Sequence, residues 1–170
     1  MSQSRPFSKL KKQVEALFVP GLDLRVDCFV HAHRTTYSEV RVPRYTLKLD
    51  GETVWHFPGD FHVKQETPHA WPSMVDISGL LRAYLDTPID LLLTRAFDQE
   101  QVELYFSQFH DGGQRLLTYS LNLTPVLIAA DRRIGFAKLT EWAAQFQKDH
   151  AVHQVLKTRA KVAREVRPGR

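Results

Sequence analysis

The residues with the most chemistry to offer are histidines. His31 and His33 stand two apart in a segment that alternates apolar and polar, so both imidazoles fall on one face, a spacing that some metal sites use. His62, in a loop that also carries Asp60 and His69, can supply a third ligand, and His56 is a further candidate. An ion held by such a set would activate water for hydrolysis. The plainer alternative is a solvent-facing pair of histidines, and it is favoured because neither an HExxH run nor a cysteine cluster accompanies them. No cofactor is expected, since neither GxGxxG nor GxxxxGK[ST] occurs, and no serine lies in a GxSxG context.

A second chemical group is Asp131-Arg132-Arg133. At a helix start, Arg132 and Arg133 together with backbone donors can hold a phosphate or carboxylate. The alternative is a capping Asp131 whose neighbouring arginines pair with acids such as Asp86, Asp90 or Asp98. A third group is the basic tail, in which Lys157, Arg159, Lys161 and Arg164 can contact nucleic-acid phosphates, with Arg167 and Arg170 beyond. It has no interleaved aromatics for stacking on single strands, and its apolar positions Val152, Val155, Leu156, Ala160, Ala163 and Val166 favour docking on protein instead. The lone Cys28 falls on the inward face of its strand and reads as a small core residue.

These groups need elements to position them, and the apolar stretch 123–146 is the centre. Thr124 and Pro125 give a helix start, and Val126 to Ala130 leave no polar face, so burial on nearly every side follows. Asp131 can cap a second helix, on which Ile134, Ala137, Leu139, Trp142, Ala143 and Phe146 recur at helical spacing. Upstream, Phe7, Leu10, Val14, Leu17 and Phe18 predict a short helix ended by Pro20-Gly21, and residues 23–34 a half-buried strand. Ser38 to Phe57 reads as a hairpin about Asp50-Gly51. Of two registers, the three-residue loop pairing Lys48 with Glu52 and Tyr45 with Trp55 is preferred over a two-residue turn pairing Leu49 with Glu52. The preferred register gathers Tyr45, Leu47, Trp55 and Phe57 on one face and leaves Arg44, Thr46, Lys48 and His56 outside. Pro43 marks a phase change, as a bulge or sheet edge would produce.

Pro58 to Pro72 reads as a loop, a helix follows from Asp76, and Thr87-Pro88 opens another over Ile89 to Phe97. Residues 98–122 fit either a helix or a second hairpin about Asp111-Gly112-Gly113, and the hairpin is preferred. If residues 137–166 formed one helix it would run about 45 Å, against a radius of gyration of about 16 Å for a chain of this size.

With 170 residues, 43% apolar and 11% aromatic, the chain is expected to bury its own core as one domain. One cysteine says nothing of an oxidising compartment, the first residues lack an apolar h-region, and no apolar run approaches a membrane span, so a cytoplasmic location is expected. The net charge of +4 is distributed as basic ends around a mildly acidic body, which excludes a broad nucleic-acid face outside the termini.

Three stretches, TPIDLLLTRAF, LTPVLIAADRRIG and DGETVWHFPGDF, together resemble a pattern, TPxxxLL with AADRRIG, in small uncharacterised bacterial proteins. The resemblance implies a bacterial source and a compact mixed α and β fold, and no activity. The combined expectation is an α+β fold in which an antiparallel β-sheet of three to five strands is covered by helices. Residues 1–150 are expected to form the compact domain, beginning with a short helix, and 151–170 a basic C-terminal helix or tail. The first functional expectation is a non-enzymatic cytoplasmic interaction protein, a homo-oligomer or the partner of another protein, associating through the C-terminal helix or the aromatic hairpin face. The alternative is a nucleic-acid-binding accessory protein using the basic termini, and the third a metal-dependent hydrolase; no membrane partner is expected.

Overall fold

Leu10 and Val14 stand four residues apart and both are fully buried, which gives the first helix its inward stripe. That helix, α1, spans Phe7–Glu15. The computed structural model describes residues 6–34, 39–57, 77–94, 101–107, 114–146 and 148–166, with side chains outside positions 30–42 and 101–120. The elements that follow are β1 (Leu24–Arg34), β2 (Glu39–Leu49), β3 (Glu52–Phe57), α2 (Ile77–Asp86), α3 (Ile89–Thr94), β4 (Gln101–Ser107), β5 (Gln114–Ser120), α4 (Leu123–Ala130), α5 (Phe136–Ala143), a 3-10 turn (Ala144–Phe146) and α6 (His150–Glu165). The architecture is α+β, with an antiparallel sheet β1-β2-β3, a separate β4-β5 hairpin and helices that include the C-terminal one. Among the described residues, no helix is long and apolar enough to cross a membrane.

The sheet has one inward face. Leu24 pairs with Leu49 and Val26 with Leu47, and all four are buried. On the same side Cys28 stands opposite Tyr45, and Tyr45 opposite Phe57. Burial pushes the Cys28 thiol above its ordinary value, and a hydrogen bond with Tyr45 opposes the shift. Helix α1 guards the β1 edge: Glu15 Oε1 accepts from the Val26 N–H at 2.8 Å, and Lys11 Nζ reaches Asp27 Oδ1 at 2.6 Å. The aromatic hairpin face is therefore internal, since Phe57 and Leu47 are buried in the main core and the Phe7 ring meets Tyr45 edge-on at 5.5 Å.

The hairpin register departs from the preferred one. Asp50 and Gly51 have φ of 50° and 84° and form a two-residue turn, with Leu49 opposite Glu52. Two successive left-handed residues match the twist of the strands, which a three-residue loop does less well. The pairing then shifts: Lys48 stands opposite Thr53 but Leu47 opposite Trp55, so Val54 is an extra residue in β3. This bulge restores Tyr45, Leu47, Trp55 and Phe57 to one face by another route. Lys48 does not meet Glu52. Thr46 is on the outer face but buried, and its hydroxyl has no hydrogen-bond partner among the described residues. The register of β1 with β2 runs unbroken through Val30 opposite Pro43, so no bulge lies there.

Strands β4 and β5 pair antiparallel as the expected second hairpin requires, with Leu104 opposite Leu117. In α4 every residue from Pro125 to Ala130 is buried. Its N-cap is Asn122 in the left-handed conformation, φ 48°, so Thr124 is not the cap and Pro125 is the third helical residue. Proline is tolerated there because the first-turn N–H groups have no intrahelical acceptor. Ile128 and Trp142 are both buried, and the centre of the core is where the apolar run placed it. Residues 137–166 are not one helix: Asp149 caps α6, its carboxylate accepting from the Val152 N–H at 3.1 Å. Val152 and Val155 belong to the same core cluster as α4.

Candidate functional site

Helix α4 ends with carbonyls that have no partner inside the helix, and its apolar sequence provides no side chain to meet them. Arg159, from the middle of α6, does so. Its guanidinium donates to the carbonyls of Ala129 at 3.1 Å and Asp131 at 2.8 Å, and also to that of Ile134. Arg159 is 7% exposed, and burial lowers its pKa, opposed by the nearby charge of Asp131. This residue locks α6 onto the end of α4 and so sets where the rest of α6 lies.

Asp131 itself is fully buried. It follows the end of α4 and does not cap α5, which begins at Phe136 with Gly135 as its N-cap. Its Oδ1 accepts from the Arg133 backbone N–H at 2.9 Å, its Oδ2 from Arg133 Nη2 at 2.6 Å, and the Tyr84 hydroxyl donates to the same Oδ2 at 2.6 Å. The Arg133 guanidinium also lies 5.8 Å from the centre of the Tyr84 ring. The hydrogen bonds that Arg133 donates to Asp131 raise its pKa, against the effect of burial. The chain leaving α1 ties into the same turn, with Val19 N–H donating to Ala130 O at 2.9 Å and Arg132 N–H to Leu17 O at 2.8 Å.

The two arginines expected to share an anion are thus separated in role. Arg133 is committed to Asp131, two residues before it in the chain, and not to one of the acids of α2 or α3, while the Arg132 side chain is exposed on the turn. Arg159 departs further from the expected basic surface: it is buried and bound to carbonyls, and it contributes nothing to an exposed basic face. The signal was in the sequence. Arg159 follows Val152 by seven and Val155 by four, an inward position of the stripe.

Lys157, Lys161 and Arg164 do converge. All three line a groove of about 700 Å³ between α6 and the tip of the β2–β3 hairpin. Its opposite wall carries Asp50 and Glu52, and Leu49, Val54 and Ala160 give it apolar surface. Among the described residues no ion pair joins the two charged walls, and Lys161 instead approaches Glu165 at 4.0 Å along its own helix. The bulge at Val54 and the carbonyl clamp of Arg159 together set this geometry.

Strand β1 carries positions 31 and 33, opposite 42 and 40. Their side chains lie outside the described residues, as do Asp60, His62 and His69, so the proposed metal set falls there. Among the described residues no group of three or more His, Cys, Asp or Glu side chains could hold a metal ion.

The model of one protein family matches residues 6–160. The chain belongs to the SF0329 protein family. No curated protein and no solved structure matches it. Membership of an uncharacterised family is as the sequence implied, although the match does not single out the TPxxxLL or AADRRIG stretches. The SF0329 region takes in Asp131, Arg133, Lys157 and Arg159, while Lys161 and Arg164 lie beyond it.

Proposed function

We propose that this SF0329 protein is a non-enzymatic cytoplasmic interaction protein that self-associates through the groove between α6 and the β2–β3 hairpin. The observation that carries the reading is the opposition of charge across one groove: Lys157, Lys161 and Arg164 on the helix, Asp50 and Glu52 on the hairpin tip. A second copy related by a two-fold axis sets the acidic tip of each protomer against the basic helix of the other. One patch thereby satisfies itself twice. Leu49, Val54 and Ala160 supply apolar surface beneath the charges, and such charge complementarity fixes register and speeds encounter more than it adds affinity.

Sedimentation velocity of the full chain across a range of micromolar concentrations tests the reading. A concentration-dependent dimer is expected, weakened about tenfold or more in Lys157→Glu/Lys161→Glu, the equivalent of about 1.4 kcal/mol. A monomer at every concentration overturns it. The second reading, contact with nucleic acid, rests on the same three exposed cations, but Asp50 and Glu52 in the same groove repel a polyanion. DNA added at low salt decides between them: binding that dissolves the dimer and is lost in the double variant replaces the first reading with the second.

A further inference from the structure

A second depression, of about 720 Å³, lies at the other end of α6, where β3 meets the 3-10 turn and the α4 entry. Its volume is within the range of small-molecule sites, roughly 300–1,000 Å³. Two aromatic side chains contribute to its lining, and both are held in place. The Trp55 indole N–H donates to the Leu121 carbonyl at 2.6 Å, and the Phe146 ring rests against that of Trp142 with centroids 4.6 Å apart. Around them stand Lys148, His56 and His150, all able to donate hydrogen bonds. Among the described residues of the lining the one acid is Asp149, whose carboxylate accepts from the Val152 N–H as the cap of α6. Fixed aromatic surface beside an excess of donors, with the acid already engaged, fits a flat ring that carries a negative group.

We infer that this depression binds a planar aromatic anion, a ring bearing a carboxylate, sulfonate or phosphate. The ring packs on Trp55 and Phe146, and the acid group accepts from Lys148 and the flanking imidazoles. Preformed walls reduce the ordering cost of binding. The site is separate from the charged groove used for association, and shares with it the bulged residue Val54.

Titration calorimetry of the full chain with 2-naphthoate tests the inference, with 2-naphthylmethanol as the neutral analogue and acetate as the anion without a ring. Saturable uptake of 2-naphthoate is expected, with both controls about tenfold weaker or more. Lys148→Glu and His150→Ala, both at exposed positions, should each weaken 2-naphthoate about tenfold with an unchanged circular dichroism spectrum. Lys157→Glu/Lys161→Glu should bind it like the unaltered chain, so failure here and failure of the association reading are distinguishable. No saturable uptake, equal binding of the neutral analogue, or undiminished binding by both site variants overturns the inference.

Discussion

The Tyr84 hydroxyl donates to Asp131 Oδ2 at 2.6 Å, joining α2 to the turn that follows α4, and both residues are buried. Arg133 completes the group by grasping the same carboxylate. Three segments far apart in sequence, the α2 helix, the α4–α5 turn and the chain leaving α1, are thereby fastened at one polar point inside an apolar core. A buried charge of this kind is costly unless every lone pair is met, so the group acts as a unit.

Removing the carboxylate should be among the most damaging single changes in the chain. Asp131→Ala leaves the Tyr84 hydroxyl unpaired and Arg133 without its partner, and a loss of about 3 kcal/mol or more is expected. Asp131→Asn keeps an acceptor for Tyr84 and should cost less. Urea denaturation of the three proteins measures the difference; equal stability of all three would show that the polar group contributes nothing.

The same contact predicts how stability depends on alkaline pH. Burial, then the charge of Asp131 and the hydrogen bond to it, raise the Tyr84 phenol well above its ordinary value, which is near 10. The folded chain therefore keeps a proton that the unfolded chain releases. The contribution of this group is intact below about pH 10 and declines above it, by about 1.4 kcal/mol per pH unit. Tyr84→Phe should show a flatter alkaline decline in the denaturation free energy than the unaltered chain. Parallel declines would contradict the assignment.

Arg159 should tolerate neither removal nor conservative replacement. A lysine ammonium is a point charge and cannot span three carbonyls as a planar guanidinium does. Arg159→Lys is expected to cost about 2 kcal/mol, and Arg159→Ala more, through carbonyls left buried and unpaired. Arg159→Ala as stable as the unaltered chain in thermal melting would show that the clamp does not hold α6 in place.

Two glycines separate backbone strain from crowding. Gly21 and Gly51 both have positive φ, 87° and 84°, but a Cβ at Gly51 would meet no atom within 4 Å, while at Gly21 it would lie 3.0 Å from Val162 Cγ1. Gly51→Ala should therefore cost about 1 kcal/mol from conformation alone, and Gly21→Ala more. Val162→Ala in the Gly21→Ala background should recover the excess, as read in chemical denaturation; no recovery would mean that contact with α6 is unimportant.

What could be read from the sequence follows from which signals are local. The unbroken run Val126 to Ala130 declares a buried helix without help from any neighbour, and the Asp111-Gly112-Gly113 signal within 98–122 points to the antiparallel pair that β4 and β5 form. The register at Asp50-Gly51 differs from the one expected because a bulge at Val54 reconciles a two-residue turn with the same apolar face, and nothing local announces a bulge. Asp131 looked like an N-cap because its neighbours opened an apolar stripe, yet its acceptors are filled from α2 and from Arg133. Of the basic residues on α6, Lys157, Lys161 and Arg164 behave as a surface set and Arg159 does not, because the carbonyls it serves are those of a distant helix. His62 and His69 lie outside the described residues, as do the side chains of His31 and His33, while His56 is described and lines the second depression.

In the proposed association, opposite charges on the two walls of one groove bring two copies together. Its most direct measurement mixes two variants, Asp50→Lys/Glu52→Lys and Lys157→Glu/Lys161→Glu, and follows them by sedimentation velocity. Each alone sets like charges against each other and should run as a monomer at concentrations where the unaltered chain dimerises. Mixed in equal amounts, they should recover a dimer through two attractive pairings, the altered basic tip against the altered acidic helix and the native acidic tip against the native basic helix. Dimers of either variant alone, or a mixture that stays monomeric while the unaltered chain associates, would contradict the account.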